Sequence, residues 1–183
     1  MLEQLFKTKD YLNSRETFAE LLAALNYKIG AEVGVERGYF SDILLKCNPN
    51  LKLFCIDPWT PYFKVSQRRQ DNLFAQARQR LDPYGNRIIY IKKTSMDALL
   101  DIADNSLDFV YIDAIHDLEN VSKDITGWEK KVKSGGIVSG HDYVRLPRRN
   151  IGVIDVVDNF VETNGLELYV TKEDIPSFFW VKP

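Results

Sequence analysis

"IGAEVGVERGYFSDILL", residues 29–45, is the stretch on which the fold turns. A short apolar run ends at Gly34, a second glycine follows at position 38, and the pattern then changes to helical spacing in "YFSDILLKC". This reads as a buried strand, a glycine turn and the start of a helix, the arrangement that lets backbone approach a nucleotide-type ligand closely. The stretch nearly matches a dinucleotide fingerprint, but Glu32 stands where the first glycine should be. A carboxylate there repels a pyrophosphate, whereas a cationic ligand reverses the sign, because an ammonium donates hydrogen bonds to it.

Downstream, "LKLFCID" reads as a second strand, the pattern around residues 73–81 as a helix, "RIIYI" as a third strand, and 95–103 as a short helix. "LDFVYID" is a continuous apolar run ending in Asp113, as a central parallel strand covered on both faces requires. Leu118, Val121, Ile125, Trp128 and Val132 recur at helical spacing. "SGGIVSGHDY" follows as turn and fifth strand, then a helix near 151–163, a strand in "LELYV" and a last strand in "SFFWVKP". The connector "TKEDIP" is too short for a crossover helix, so the last strand is expected to run antiparallel. Upstream, Phe18, Leu21, Leu22 and Leu25 mark one face of an opening helix.

The expected architecture is α/β: an open, doubly wound sheet of seven strands, mainly parallel, with the last strand reversed. No repeat or Gly/Ser/Pro-rich linker divides the chain, so residues 1–183 are expected to form one domain, with 1–28 a helical cover and 29–183 the sheet core. A chain of 183 residues with 45% hydrophobic content buries a core without staples, and Cys47 and Cys55 are expected as reduced thiols of a cytoplasmic protein. The N-terminus is too charged for a signal peptide, and no run suits a membrane helix. A net charge of −2 gives no general attraction for nucleic acid, although "SQRRQ" and "RLPRRN" (Arg145, Arg148, Arg149) are locally basic. Those loops read as solvated faces, with an anionic substrate the sharper alternative for the second.

Four motifs, "EVGVERGYFS", "CIDPW", "VYIDAIHDLENVSKDITGW" and "KSGGIVSGHDY", each fall at the C-terminal end of a strand, where ligands of open α/β sheets bind. Together they resemble the class I S-adenosylmethionine-dependent methyltransferases of Rossmann-like fold, in the small-molecule branch whose fourth strand ends in Asp-x-x-His. The reversed last strand is also theirs. The resemblance implies that Glu32, Gly34, Val35 and Gly38 line the methionine half of the cofactor. Asp57 and Pro58 would border the ribose, Ser95 and Met96 the adenine, and Asp113 would end the fourth strand over the cofactor. Asp57 also lies about 20 residues past the last glycine, the spacing of a ribose contact, a feature that dinucleotide folds share. Glu36 departs from the glycine that many members carry. Trp59 reads as packing beneath its loop.

Asp113, His116, His141 and Asp142 are expected at two neighbouring strand tips, and the chain has no other histidine. Such a set suits acid–base work or a divalent cation. His116 is the expected general base, with His141 second, and Asp113 and Asp142 match positions that hold magnesium in some relatives. The implied reaction moves the sulfonium methyl of S-adenosylmethionine to a small-molecule acceptor, most simply at oxygen. The alternatives are a nicotinamide-dependent oxidoreductase and a non-catalytic S-adenosylmethionine-binding module. A homodimer would help close so small a site.

Overall fold

The computed structural model describes residues 12–145 and 151–183. Helix α1 (Arg15–Ala24) leads into β1 (Ile29–Val33), α2 (Tyr39–Cys47), β2 (Lys52–Ile56) and α3 (Gln67–Leu81). A 3-10 segment, Asp82–Arg87, precedes β3 (Ile88–Ile91), and the single turn α4 (Ser95–Ala98) runs into a second, Leu99–Asp101. Then come β4 (Leu107–Ile112), α5 (Leu118–Glu129), β5 (Val132–Gly140), α6 (Val153–Asn164), β6 (Tyr169–Val170) and β7 (Phe178–Val181).

The seven strands form one sheet in the order β3-β2-β1-β4-β5-β7-β6. Every pair from β3 across to β5 is parallel, and β7 runs antiparallel to both β5 and β6. The expected reversal of the last strand is therefore present. It places β7 between β5 and β6, which the chain reaches with a loop and not a helix.

Two cores lie on opposite faces, and the two-residue period of the strands divides them. Phe109, Tyr111, Ile137 and Phe179 pack beneath α1, α2 and α3 with Phe18, Leu22, Leu44 and Leu81. Val110, Ile112, Val138 and Trp180 face the other way, onto Val121, Ile125, Trp128 and Val157 of α5 and α6. All six residues of β4 are buried, including Asp108, whose carboxylate accepts the Lys28 and Ile29 amides.

Some boundaries differ from expectation. Val132 continues the stripe of α5 in the sequence, but the helix ends at Glu129 and Val132 opens β5. Leu118 begins the helix and is 56% exposed, so it is not a core position. Helix α3 starts at Gln67, six residues before the apolar signal, behind the cap Ser66, whose hydroxyl accepts the Arg69 amide at 3.4 Å. Strand β6 keeps only two of the five residues in "LELYV", since Leu166 and Leu168 turn into the core beside α6. Among the described residues no helix is long and apolar enough to cross a membrane.

Candidate active site

The sheet ladder continues one residue past several strand ends. Gly34 N donates to Ile56 O at 2.8 Å, Asp57 N to Ile91 O at 3.2 Å, Asp113 N to Val33 O at 2.8 Å, and His141 N to Ile112 O at 3.0 Å. Gly34, Asp57, Asp113 and His141 thus stand in a row on the C-terminal edge, where the strand order reverses between β1 and β4. That reversal is the usual ligand crevice of a doubly wound sheet.

On the β1–β2 side, backbone donors hold the acidic groups. Asp57 Oδ2 accepts the Glu36 amide at 2.9 Å and Oδ1 accepts the Trp59 amide at 2.8 Å. The Trp59 indole returns the contact, donating to the Glu36 carbonyl at 2.9 Å. Glu36 is clamped at both its amide and its carbonyl, with φ at 49°, in the left-handed region that a glycine would enter freely. Trp59 is buried and packs on Phe74 at 4.5 Å, so its packing role is observed and it also fixes the turn. Burial pushes the Asp57 carboxyl up, against the pull of these amides.

The two glycines have a reason beyond ligand approach. A Cβ on Gly34, at φ +96°, would fall 2.0 Å from the Asp113 carbonyl oxygen, and one on Gly38 would fall 2.7 Å from Leu81 Cδ1. The fold itself therefore requires Gly34 to be bare, while a side chain at Gly38 would have to displace the tip of Leu81 and hold a φ of +72°. Glu32 does not project freely from a strand tip: it is buried under α2, where Ser41 Oγ donates to its Oε2. Burial, only partly offset by that bond, raises the Glu32 carboxyl to about 8.

The β4–β5 side is built differently. His116 Nε2 lies 3.2 Å from Asp113 Oδ1 and 2.9 Å from Asp142 Oδ2, and His141 Nδ1 lies 3.4 Å from Asp142 Oδ2. Asp142 itself sits at φ 59°, which turns its carboxylate back toward the two imidazoles. Burial disfavours charge on His116, but its hydrogen bonds to Asp113 and Asp142 outweigh burial and hold the ring at about 10. Burial of Asp142 is likewise overcome by bonds from His116 and His141, which keep it well below the usual carboxylate range. The two carboxylates thus favour the protonated form of the His116 ring. The expectation of a general base at His116 therefore turns on these two carboxylate neighbours, which set its protonation.

Asp113, His141 and Asp142 also offer ligand atoms within 4.8 Å of one another, a spacing that a single cation would bridge. Two carboxylate oxygens suit magnesium, while the imidazole nitrogen is the less usual partner for it.

The remaining expected residues divide. Ser95 begins α4, but its hydroxyl donates to Asp124 Oδ1 and accepts the Trp128 indole at 2.8 Å, tying α4 to α5. Met96 is exposed beside it. Val35 is buried, and Pro58 lies in the turn that Asp57 and Trp59 fix. Arg145 pairs with Asp155 of α6 at 2.6 Å, while Arg148 and Arg149 lie outside the described residues. Three participants were not expected. They are Ser41 beneath Glu32, the buried Asp124, and Arg15, which extends from α1 to within 3.8 Å of Asp113. Asp124 alone left a signal, a carboxylate in line with Val121 and Trp128 on the apolar face of its helix.

Comparison with known proteins gives the family and the fold. A family profile described as "Methyltransferase domain" matches residues 31–143, and the chain belongs to that family. It is a methyltransferase by that membership. No curated protein sequence matches it significantly. Among solved structures it is similar to a Staphylococcus aureus protein provisionally described as a caffeoyl-CoA O-methyltransferase, with TM-score 0.71 and 18% identity over 92% of this chain and 82% of that one. It is also similar to the O-methyltransferase TomG of Streptomyces achromogenes, solved in complex with SAM, with TM-score 0.65 and 19% identity over 98% and 86%. A precorrin-6y C5,15-methyltransferase from Geobacter metallireducens gives TM-score 0.67 and 14% identity over 91% and 87%. These likenesses establish a shared fold.

Proposed function

We propose that the protein transfers the methyl group of S-adenosylmethionine to an oxygen of a small-molecule acceptor, with the cofactor lying across the edge from Asp57 to Asp113. The observation that carries this is the row of Gly34, Asp57, Asp113 and His141 at the reversal of strand order. Asp57 keeps lone pairs for ribose hydroxyls after accepting its two amides. Glu32 and Asp113 provide for the ammonium. The sulfonium is already activated, so holding acceptor and methyl in line supplies most of the rate.

Glu32 makes the binding step testable by proton counting. Its carboxyl is held at about 8 by burial, so at pH 7 it is mostly protonated, and an arriving ammonium favours the ionised form. Cofactor binding should therefore release a proton, and affinity should rise as pH approaches 8. Titration calorimetry of S-adenosylhomocysteine in buffers of different ionisation enthalpy measures this. A wild-type protein that binds NAD and ignores S-adenosylhomocysteine would refute the reading in favour of an oxidoreductase.

Acceptor deprotonation and metal binding form one proposal here. His116 lies between Asp113 and Asp142, whose charge favours its protonated form. Asp113 and Asp142, with His141 beside them, would hold a magnesium ion, which lowers the pKa of an acceptor oxygen. Were both carboxylates so engaged, His116 would lose the partners that favour its protonated form and would be free to act as an ordinary histidine base. Turnover should then require the divalent cation and fall at least tenfold in His116→Ala. Activity untouched by a chelator would remove the ion, and full turnover in His116→Ala would remove the base.

A further inference from the structure

Arg15 is the first residue of α1, directly after the N-cap Ser14. A cation at that end opposes the helix dipole, so helix stability does not account for the residue. What it faces does. Arg15 Nη1 lies 3.8 Å from Asp113 Oδ2, its Cζ stands 5.8 Å from the centre of the buried Phe40 ring, and its charge is felt at Glu32 and Tyr111. The ion pair with Asp113 is too long for a hydrogen bond, and the side chain keeps 36% of its surface open. Phe40 holds the flat guanidinium over the edge without using any of its five donors.

The cofactor proposed above is an α-amino acid at this end. Its ammonium and carboxylate share one carbon, so an ammonium beside Glu32 and Asp113 brings the carboxylate within a few ångströms of the same two acids. Beside those two acids the carboxylate calls for a cationic partner. We propose that Arg15 binds the carboxylate of the cofactor's methionine end, exchanging its loose contact with Asp113 for a paired hydrogen-bonded one. Helix α1 then forms part of the cofactor site and is more than its cover. A planar fork suits a carboxylate better than a point charge does, which gives arginine the advantage over lysine here.

This inference rests on the S-adenosylmethionine reading, and one set of titrations separates the two. Wild type, Arg15→Gln and Arg15→Lys are each titrated with S-adenosylhomocysteine, with its decarboxylated analogue, and with methylthioadenosine, which lacks the amino-acid end. Arg15→Gln should weaken S-adenosylhomocysteine by about 10- to 100-fold, the range of a charged hydrogen-bonded pair. It should leave the other two ligands within about twofold, and Arg15→Lys should recover part of the loss. Equal weakening of all three ligands, or no weakening of S-adenosylhomocysteine, would overturn the assignment. A wild-type protein that binds none of the three would overturn the cofactor reading beneath it.

Discussion

The two halves of the edge are held by different forces. On the β1–β2 side, main-chain amides and an indole fix Asp57 and Glu36, and the neighbouring Gly34 has no room for a side chain. On the β4–β5 side the backbone of Asp113 and His141 is also held by the sheet, but the side chains of Asp113, His116, His141 and Asp142 have chiefly one another as partners. The first half is part of the fold; the second responds to whatever cation arrives. Substitutions on the two sides should therefore report in different measurements, stability on one and chemistry on the other.

The largest effect expected is that of Gly34→Val. A side chain there meets the Asp113 backbone and also opposes a φ of +96°. The variant should lose about 4 kcal/mol or more, enough to appear in the insoluble fraction or to melt far below wild type. A soluble, cooperatively folded variant that had lost only ligand binding would mean that this glycine serves the cofactor alone.

Asp124 comes next, and its effect depends on pH. Burial raises its carboxyl to about 6, against the Ser95 bond that lowers it. A carboxyl raised on folding contributes fully below its unfolded pKa of about 4, and that contribution is lost as pH climbs toward 6. Asp124→Asn keeps an acceptor for Ser95 but has no proton to lose. Relative to wild type it should gain about 1 to 3 kcal/mol between pH 4 and 7.5, read from denaturant melts. A gap that does not change with pH would show that the carboxyl is not desolvated.

Trp59→Phe removes the indole donor to Glu36 while keeping an aromatic ring. A cost of about 1 to 2 kcal/mol is expected, with a parallel loss of S-adenosylhomocysteine affinity as the turn loosens. The smallest change in stability belongs to His116→Gln. In chelator-treated protein the raised pKa of His116 stabilises the fold fully below about 6.5, and the contribution disappears as pH rises through about 10. The partly exposed side chain should contribute under about 1 kcal/mol even at pH 6. If His116→Gln cost more than Trp59→Phe, the two halves would not differ as described.

The same contrast explains what could be read without coordinates. Strand β4 and the reversed β7 were legible because an apolar run and a short connector leave few alternatives. The glycine turn and Asp57 were legible because their spacing is local. The protonation of His116 was not, since it depends on Asp142, more than twenty residues away. Arg15 and Ser41 look like ordinary polar residues of amphipathic helices until the sheet brings them to Asp113 and Glu32. The premature end of α5 was hidden because Val132 fits a helical stripe and a strand start equally well.

The most direct test is a crystal structure with S-adenosylhomocysteine bound. The ribose hydroxyls should lie on Asp57, the sulfur between the β1 turn and Asp113, and the amino-acid end beside Glu32. Asp57 still bonded only to the Glu36 and Trp59 amides, with the nucleoside elsewhere on the molecule, would contradict the assignment of this edge as the methyl-transfer site.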